Sequence, residues 1–529
     1  MRKVLLILIL VIMTASSSLA AGSKSEIVFN LGADPRTIDP ALNNTVDGNN
    51  VISNIFEGLV RTSFNDSPEP GCADHWEVSD DGLKWTFHLR DNIKWSDGQA
   101  ITASEFREGF LRAMRPETAS LYAYYTFFIK NSEEFYNSRV SEDEVGVYAP
   151  DDKTLIIELE YSNPLTLDYI AFPIFVPARD FMNEDPSWAA KPETLISNGP
   201  FKLESWKHGD GGEIVLVKNP EYWDAENVKV DKLRFVMIND SNTALAAFRA
   251  GRIDYMSSIP SPMLPMLLKT GQAISMPALG TAFCDFNITR EPFNDPRVRR
   301  AFTLAIDRKI IIDKILMGGQ RPATGLVCDV VPGSSQTQDF RSEGGAFLPE
   351  RSDIEQARKL LAEAGYPDGK NFPKVSYKYN SNPGNKSLAE ALQGMWKSAL
   401  GVEVELLNEE WKVFLETRIR LDYDIARDAW LMDFFDAGSI LELCITNSPQ
   451  NNTGYSNPEF DELMRKANYE MDHVKRINYM HEAEKILMND LPVLPIYFYS
   501  SAIMQSKGVK NIYHSPRGFV LFRGAEVVK

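Results

Sequence analysis

The sequence predicts an α/β protein of two or three lobes, and three observations lead there. Helix and strand patterns alternate along one stretch: "NKSLAEALQGMWKSALG" is helical, "VEVELL" alternates as a strand, "EEWKVFLETRI" is helical, and "YDIARDAW" is again a strand. Alternation at these lengths argues for a partly parallel sheet. About 500 residues remain after a leader, more than one core usually holds. Finally, no internal repeat, low-complexity tract or flexible linker interrupts the chain, so short ordered crossings must join the lobes.

The chain begins "MRKVLLILILVIMTASSSLAAGS". Arg2 and Lys3 form a basic start, and Val4 to Met13 make an apolar run too short to span a bilayer. Ser18-Leu19-Ala20 suits a signal-peptidase cut before Ala21. No cysteine follows the apolar run, which argues against a lipid anchor. No later stretch is apolar for the ~18 to 20 residues a membrane helix needs. The expectation is a signal peptide over 1–20 and a soluble, exported, periplasmic protein.

Past the leader, "SEIVFNLGADPRTIDP" reads as a strand and a Pro-punctuated loop. "WEVSDDGLKWTFHLRDNIKWSDGQAIT" reads as a hairpin turning at Asp81-Gly82, with Val78, Trp85, Phe87 and Leu89 as its apolar positions. A second turn, Asp97-Gly98, precedes a helix whose Thr102 and Glu105 have capping-box spacing. Strands alternate with loops in "NGPFKLESWKHGDGGEIVLVKNPEYWD", and "SNTALAAFRAGRIDY" is a helix stopped at Gly251. "NDPRVRRAFTLAIDRKIIIDKIL" opens on Asp295 as N-cap with Pro296 at the first helical position. "SDIEQARKLLAEAGY" places Ser352 and Glu355 as a capping box, with an apolar stripe of Ile354, Ala357, Leu360, Leu361 and Ala364 before Gly365.

The formal charge is −17. Without Arg2 and Lys3, 54 basic residues face 73 acidic ones, a charge of −19. Such a surface repels phosphate backbones and anionic headgroups, so nucleic acid and membrane surfaces are poor partners. Cys72, Cys284, Cys328 and Cys444 are too dispersed for a zinc ribbon or a CxxC pair. They allow up to two disulfides in three full pairings, or one bridge or none with the remaining thiols buried.

Catalytic motifs are missing. The histidines at 75, 88, 208, 473, 481 and 514 show no close metal spacing, and no GxSxG elbow occurs. "GYPDGKN" lacks phosphate-loop spacing, and "HGDGGE" lacks the dinucleotide fingerprint. No cofactor and no metal are expected, and the reading is not an enzyme. The 9 Trp, 19 Tyr and 29 Phe instead suit a core plus a cleft that stacks varied side chains. Within "DIARDAWLMDFFDAGS", Asp433 is an anion between Trp430-Leu431-Met432 and Phe434-Phe435, just past the carboxyl end of a strand, where open α/β sheets place ligands. A dry unpaired carboxylate costs several kcal/mol, so Asp433 requires a cation. Arg427 or Arg418 supplies it internally, or a ligand brings it.

The ordered segments "ADHWEVSDDGLKWTFHLRDNIKWSDG", "SNGPFKL", "NPEYWD", "PFNDPRVRRAFTLAIDR", "LLAEAGY", "NEEWKVFLETR", "ARDAWLMDFFD" and "YSNPEFDELM" resemble the oligopeptide-binding proteins of bacterial peptide ABC importers, the family 5 extracellular solute-binding proteins. The resemblance runs along essentially the whole mature chain. It implies a periplasmic-binding-protein type of α/β fold, with two α/β ligand-binding lobes joined by a hinge plus a third smaller lobe. Lobe I is implied at 21–57, 181–279 and 497–529, lobe II at 58–180 and lobe III at 280–496. Lobes I and III are implied to close over a short peptide, and a membrane permease of a peptide ABC importer is the implied partner of a monomer.

By the same resemblance Asp433 pairs with the peptide's α-ammonium. The backbone of Ala429, Trp430 and Leu431 pairs with the peptide main chain as an added strand, with Asn44 to Val46 facing it. Trp411, Arg418 and Tyr122 match pocket-lining positions, and Arg427 matches a basic residue that receives the peptide carboxylate. Three positions depart from enteric relatives: Leu316 replaces a lysine, Asn385 a pocket histidine, and Leu431 a cysteine, so their disulfide is absent. Dipeptides and murein peptides are alternative ligands; scarce histidines disfavour nickel chelates and haem. An exported hydrolase is the alternative of a different class.

Overall fold

The computed structural model describes residues 25–528 apart from positions 186, 210 and 336. The leader and its cleavage position lie outside the described residues. Strand β1 (Glu26–Asn30) alternates a water-facing Glu26 with buried Ile27 and Phe29, and helix α1 (Val46–Ile55) follows the Pro-punctuated loop. Strands β2 (Ala73–Val78) and β3 (Lys84–Leu89) form the expected hairpin, with Gly82 at a positive φ of 71° in its turn. Trp85, Phe87 and Leu89 are buried as read, whereas Val78 is largely exposed. The capping box at Thr102 and Glu105 starts α2 (Ala103–Met114). Strands β4 (Val147–Asp151) and β5 (Thr154–Glu158) complete a four-stranded antiparallel sheet in the order β2-β3-β5-β4.

Next come β6 (Phe201–Lys207), β7 (Glu213–Lys218), β8 (Lys232–Val236), α3 (Ser241–Arg249) and β9 (Tyr255–Met256). The long strand β10 (Ile274–Phe286) then crosses out of this region, and β14 (Val493–Gln505) later returns antiparallel beside it. Between them lie α4 (Pro296–Leu304), α5 (Ile354–Glu363), β11 (Val375–Asn380), α6 (Pro383–Leu400), β12 (Val404–Glu409), α7 (Trp411–Ile419), β13 (Ile425–Leu431), α8 (Pro458–Tyr469) and α9 (His473–Asp490). One sheet runs through both regions in the order β12-β11-β13-β10-β14-β9-β1-β8-β7-β6. Strands β10 and β14 are the two crossings, and their pairing slips register between Pro277 and Thr281. A bulge bends a ladder, and the lobe boundaries expected at 279/280 and 496/497 fall inside these two strands.

Strand β10 shows why the sheet is covered on both faces. Ala282, Cys284 and Phe286 enter one core with α4, α5 and α6, while Phe283 enters the other with α8 and α9. Asp295 and Pro296 open α4 as expected, the Asp295 carboxylate accepting from the Arg297 N–H at 2.8 Å. The cap of α5 needs correction. Asp353, not Ser352, accepts from the Gln356 N–H at 3.1 Å, and Ile354 is exposed rather than part of the apolar stripe. All four cysteines are buried free thiols, so none of the possible disulfides forms. No helix among the described residues is long and apolar enough to cross a membrane.

Candidate functional site

A cleft of about 270 Å³ lies where β13 ends opposite α1. Its walls are the turn before α1 with Asn44 and Val46, the aromatic group Tyr122, Tyr125 and Phe172, the end of β13 from Leu431 to Asp433, and the C-terminal Arg517, Phe519 and Arg523. The turn is built locally. The Asn43 side-chain amide donates to the Thr45 carbonyl at 3.0 Å, its oxygen accepts from the Thr45 hydroxyl at 3.0 Å, and Thr45 caps α1 through the Gly48 N–H. With Asn43 turned inward, Asn44 and Val46 face solvent.

The opposite wall carries an unpaired strand edge. β11 pairs only with Ile425 and Ala426 of β13, whereas β10 follows β13 from Ile425 to Leu431 on its other side. Beyond Ala426 the outer edge of β13 has no neighbouring strand among the described residues. The Ala429 N–H donates to the Asp428 carboxylate at 2.7 Å instead of to another strand. Such an edge is the template onto which an extended chain adds. Leu431, at its end, is 65% exposed.

Asp433 stands two residues past that edge. No cation lies within ion-pair distance of it among the described residues, and its N–H donates to the Ser439 hydroxyl at 3.3 Å. Asp433 is exposed to the cleft by surface area, yet the protein around its carboxylate strips enough hydration to push its pKa above its ordinary value. A hydrogen bond from the Tyr125 hydroxyl and the more distant Arg517 charge oppose that rise without cancelling it. The expected internal partners are engaged elsewhere. Arg427 is half-buried and donates to the Tyr499 hydroxyl at 3.1 Å, with no carboxylate in ion-pair range among the described residues. Arg418 binds Asp428 and stands 3.5 Å from Asp285, on the side of the strand away from Arg427.

The cleft wall therefore brings together Asn44, Val46, Tyr122, Leu431 and Asp433. Trp411 and Asn385 do not reach it in this arrangement. They follow β12 and β11, so with Asp433 they mark the carboxyl ends of three neighbouring strands. Trp411 is 46% exposed, and the Asn385 amide donates to the Asn380 carbonyl and side chain at 3.2 and 2.9 Å. Ala429 and Trp430 are half-buried behind the edge, the Trp430 indole nitrogen without a hydrogen-bond partner. Arg418 likewise stands outside the cleft lining in this arrangement, paired with Asp428 and Asp285.

Sequence reasoning missed Arg517, Tyr125, Phe172 and Arg523. The Arg517 guanidinium lies over the Phe519 ring at 4.8 Å and near Phe435 at 5.4 Å, and it donates to the Thr62 hydroxyl at 3.3 Å. Nothing in "HSPRGF" signals a cleft, because that segment gains its role only by returning against α1. Tyr125 was one of three tyrosines in "SLYAYY", and sequence could not choose among them. Tyr122 and Tyr125 in fact stack, with centroids 5.2 Å apart.

Residues 67–452 match the model of the bacterial extracellular solute-binding proteins, family 5. The chain is 36% identical to the oligopeptide-binding protein OppA of Bacillus subtilis, over 95% of this chain and 92% of the relative. Among solved structures it resembles the unliganded open form of the periplasmic murein tripeptide binding protein MppA, at 32% identity and a TM-score of 0.86, covering 96% of this chain and 98% of that one. The Haemophilus influenzae OppA in complex with RPPGFSPFR is 30% identical over 96% of this chain and 99% of that one, yet gives a TM-score of only 0.67. At such similar identity and coverage the difference is one of arrangement. The arrangement here is nearer that of the unliganded open form.

Proposed function

Because the chain belongs to the bacterial extracellular solute-binding proteins of family 5, we propose that it captures short peptides in the cleft and delivers them to an ABC-type peptide permease. The observation that carries this reading is Asp433, a partly desolvated carboxylate facing the cleft at the end of an unpaired strand edge, with no cation in ion-pair range among the described residues. A peptide supplies both missing partners. Its main chain completes the edge of β13, and its α-ammonium neutralises Asp433. Main-chain pairing is indifferent to side chains, which suits a receptor for varied sequences. Arg427, without a carboxylate partner, receives the C-terminal carboxylate.

Closure about β10 and β14 brings Asn44 and Val46 toward β13 and buries the peptide, the hinge route to enclosing a ligand. The protein works as a monomer on the periplasmic side, after its leader is removed. Calorimetry with a free-amino tripeptide and its N-acetylated counterpart tests the assignment. The free peptide is expected to bind and the blocked one to bind weakly. Equal affinities would remove the role given to Asp433. Peptides carried through purification without denaturation, read by mass spectrometry, would support a receptor, whereas cleavage of added peptides would support a hydrolase.

A further inference from the structure

The sequence spacing of the histidines shows no metal motif, but the hairpin register creates a cluster. His75 on β2 lies directly opposite His88 on β3, and their rings stack with centroids 4.4 Å apart. Glu77, two residues beyond His75, shares its face of the strand. One ligand atom from each of His75, Glu77 and His88 lies within 4.8 Å of the other two. The buried face of the same hairpin carries Trp85, Phe87 and Leu89. The three polar side chains therefore contribute nothing to the core beneath them.

Two further observations point to a ligand. The His88 Nε2 atom is shielded from water yet has no hydrogen-bond partner, and a Glu77 oxygen lies 4.0 Å from it. The Asp74 carboxylate lies 2.7 Å from His75 Nδ1. Asp74 thus holds the proton of His75 on Nδ1 and leaves the Nε2 lone pair free, the carboxylate–histidine arrangement that orients metal-bound imidazoles. The ladder slips register between Ala73 and His75, which leaves Asp74 out of the pairing and beside that ring.

We propose that His75, Glu77 and His88 form a surface site for one divalent transition-metal ion of the Zn²⁺ class, outside the peptide cleft. Two imidazoles and one carboxylate are borderline donors that suit Zn²⁺, Ni²⁺ or Cu²⁺, whereas Mg²⁺ and Ca²⁺ prefer all-oxygen shells. A tetrahedral ion with bonds of about 2 Å sets its donors roughly 3.3 Å apart, so side-chain rotation must close the present spacing by about 1.5 Å. The two stacked imidazoles must turn so that their in-plane lone pairs converge on the ion, the flexible Glu77 chain follows, and water fills the remaining position. The site does not depend on the peptide-binding reading, since none of its residues lines that cleft.

Calorimetric titration of untagged, chelator-stripped mature protein with ZnCl₂ tests it. One saturable equivalent is expected, with no comparable binding of Mg²⁺. His88→Ala and His75→Ala are each expected to weaken zinc at least tenfold without changing peptide affinity or the circular dichroism spectrum. Asp74→Asn, which touches no metal, is expected to weaken zinc about tenfold by releasing the His75 ring. Absence of a one-equivalent site in the unmutated protein, or unchanged zinc affinity in both histidine variants, would overturn the proposal.

Discussion

Phe434, just past the end of β13, packs on Tyr169 with ring centroids 4.5 Å apart, tilted by 48°. Phe434 thereby joins the core that contains Tyr125, Ile170 and Phe175, while Met432, two residues earlier, is buried in the core built on α8 and α9. Plugging Met432 and Phe434 into separate cores leaves Asp433 between them with its carboxylate toward the cleft. The greasy setting of that anion is its mounting.

Removing one plug should therefore disturb the anion. Phe434→Ala is expected to destabilise the protein by about 3 kcal/mol, the usual loss for a buried phenylalanine. Peptide affinity should fall in parallel as Asp433 loses its fixed position. Thermal unfolding and calorimetry on the same sample check this, and unchanged affinity in a destabilised variant would show that Asp433 is held by other means.

Asp433→Asn should move stability and affinity in opposite directions. Partial desolvation raises the Asp433 pKa. A carboxyl whose pKa rises on folding contributes stability below the ordinary carboxylate range, and that contribution is lost as pH rises through the raised value. Because Asp433 faces solvent across the cleft, ionisation costs the unliganded protein little at neutral pH, and a neutral amide should raise its Tm only slightly. Peptide affinity should fall by about 2–5 kcal/mol, some 30-fold or more. In the unmutated protein, affinity should fade as pH drops toward the raised pKa, because only the anion attracts an ammonium. A lower Tm in Asp433→Asn would reveal an internal partner.

Much of this was legible before the structure, for identifiable reasons. The caps at Thr102 and Asp295 are local, set by side chains within three residues of the helix start, and sequence reads them directly. Ser352 and Asp353 are adjacent candidates for one cap, and only the tertiary setting of α5 chooses between them. The pairing of Arg418 was not legible because its partners, Asp428 and Asp285, come from two different strands. Arg517 was invisible because its cleft is closed by a segment hundreds of residues from α1. His75 and His88 could have been paired by counting back from the Asp81-Gly82 turn, which was already assigned.

Arg427 offers a test of polarity. Its guanidinium holds only a tyrosine hydroxyl among the described contacts, so a ligand carboxylate is a better partner than any it has. Arg427→Ala is expected to weaken free-acid peptides about tenfold or more while leaving C-terminally amidated peptides nearly unaffected. Calorimetry with matched acid and amide peptides on both proteins forms a closed cycle. Equal losses for both peptides would assign Arg427 to the fold.

Arg418 should behave as a structural group, and its pH dependence should show it. Asp285 is buried, and desolvation together with the Asp428 charge pushes its pKa well up, opposed by Arg418. Without the cation, two buried carboxylates face each other, and breaking such a buried arrangement costs about 3–5 kcal/mol. Because the folded pKa of Asp285 lies above its unfolded value, protonation stabilises the folded state, and that contribution disappears as pH rises through the folded pKa. Deleting Arg418 raises this pKa further, so a proton can replace the lost cation more readily in acid. The destabilisation of Arg418→Ala, measured by urea unfolding, should be largest at neutral pH and shrink as pH is lowered. A loss of peptide affinity with no loss of stability would return Arg418 to the pocket.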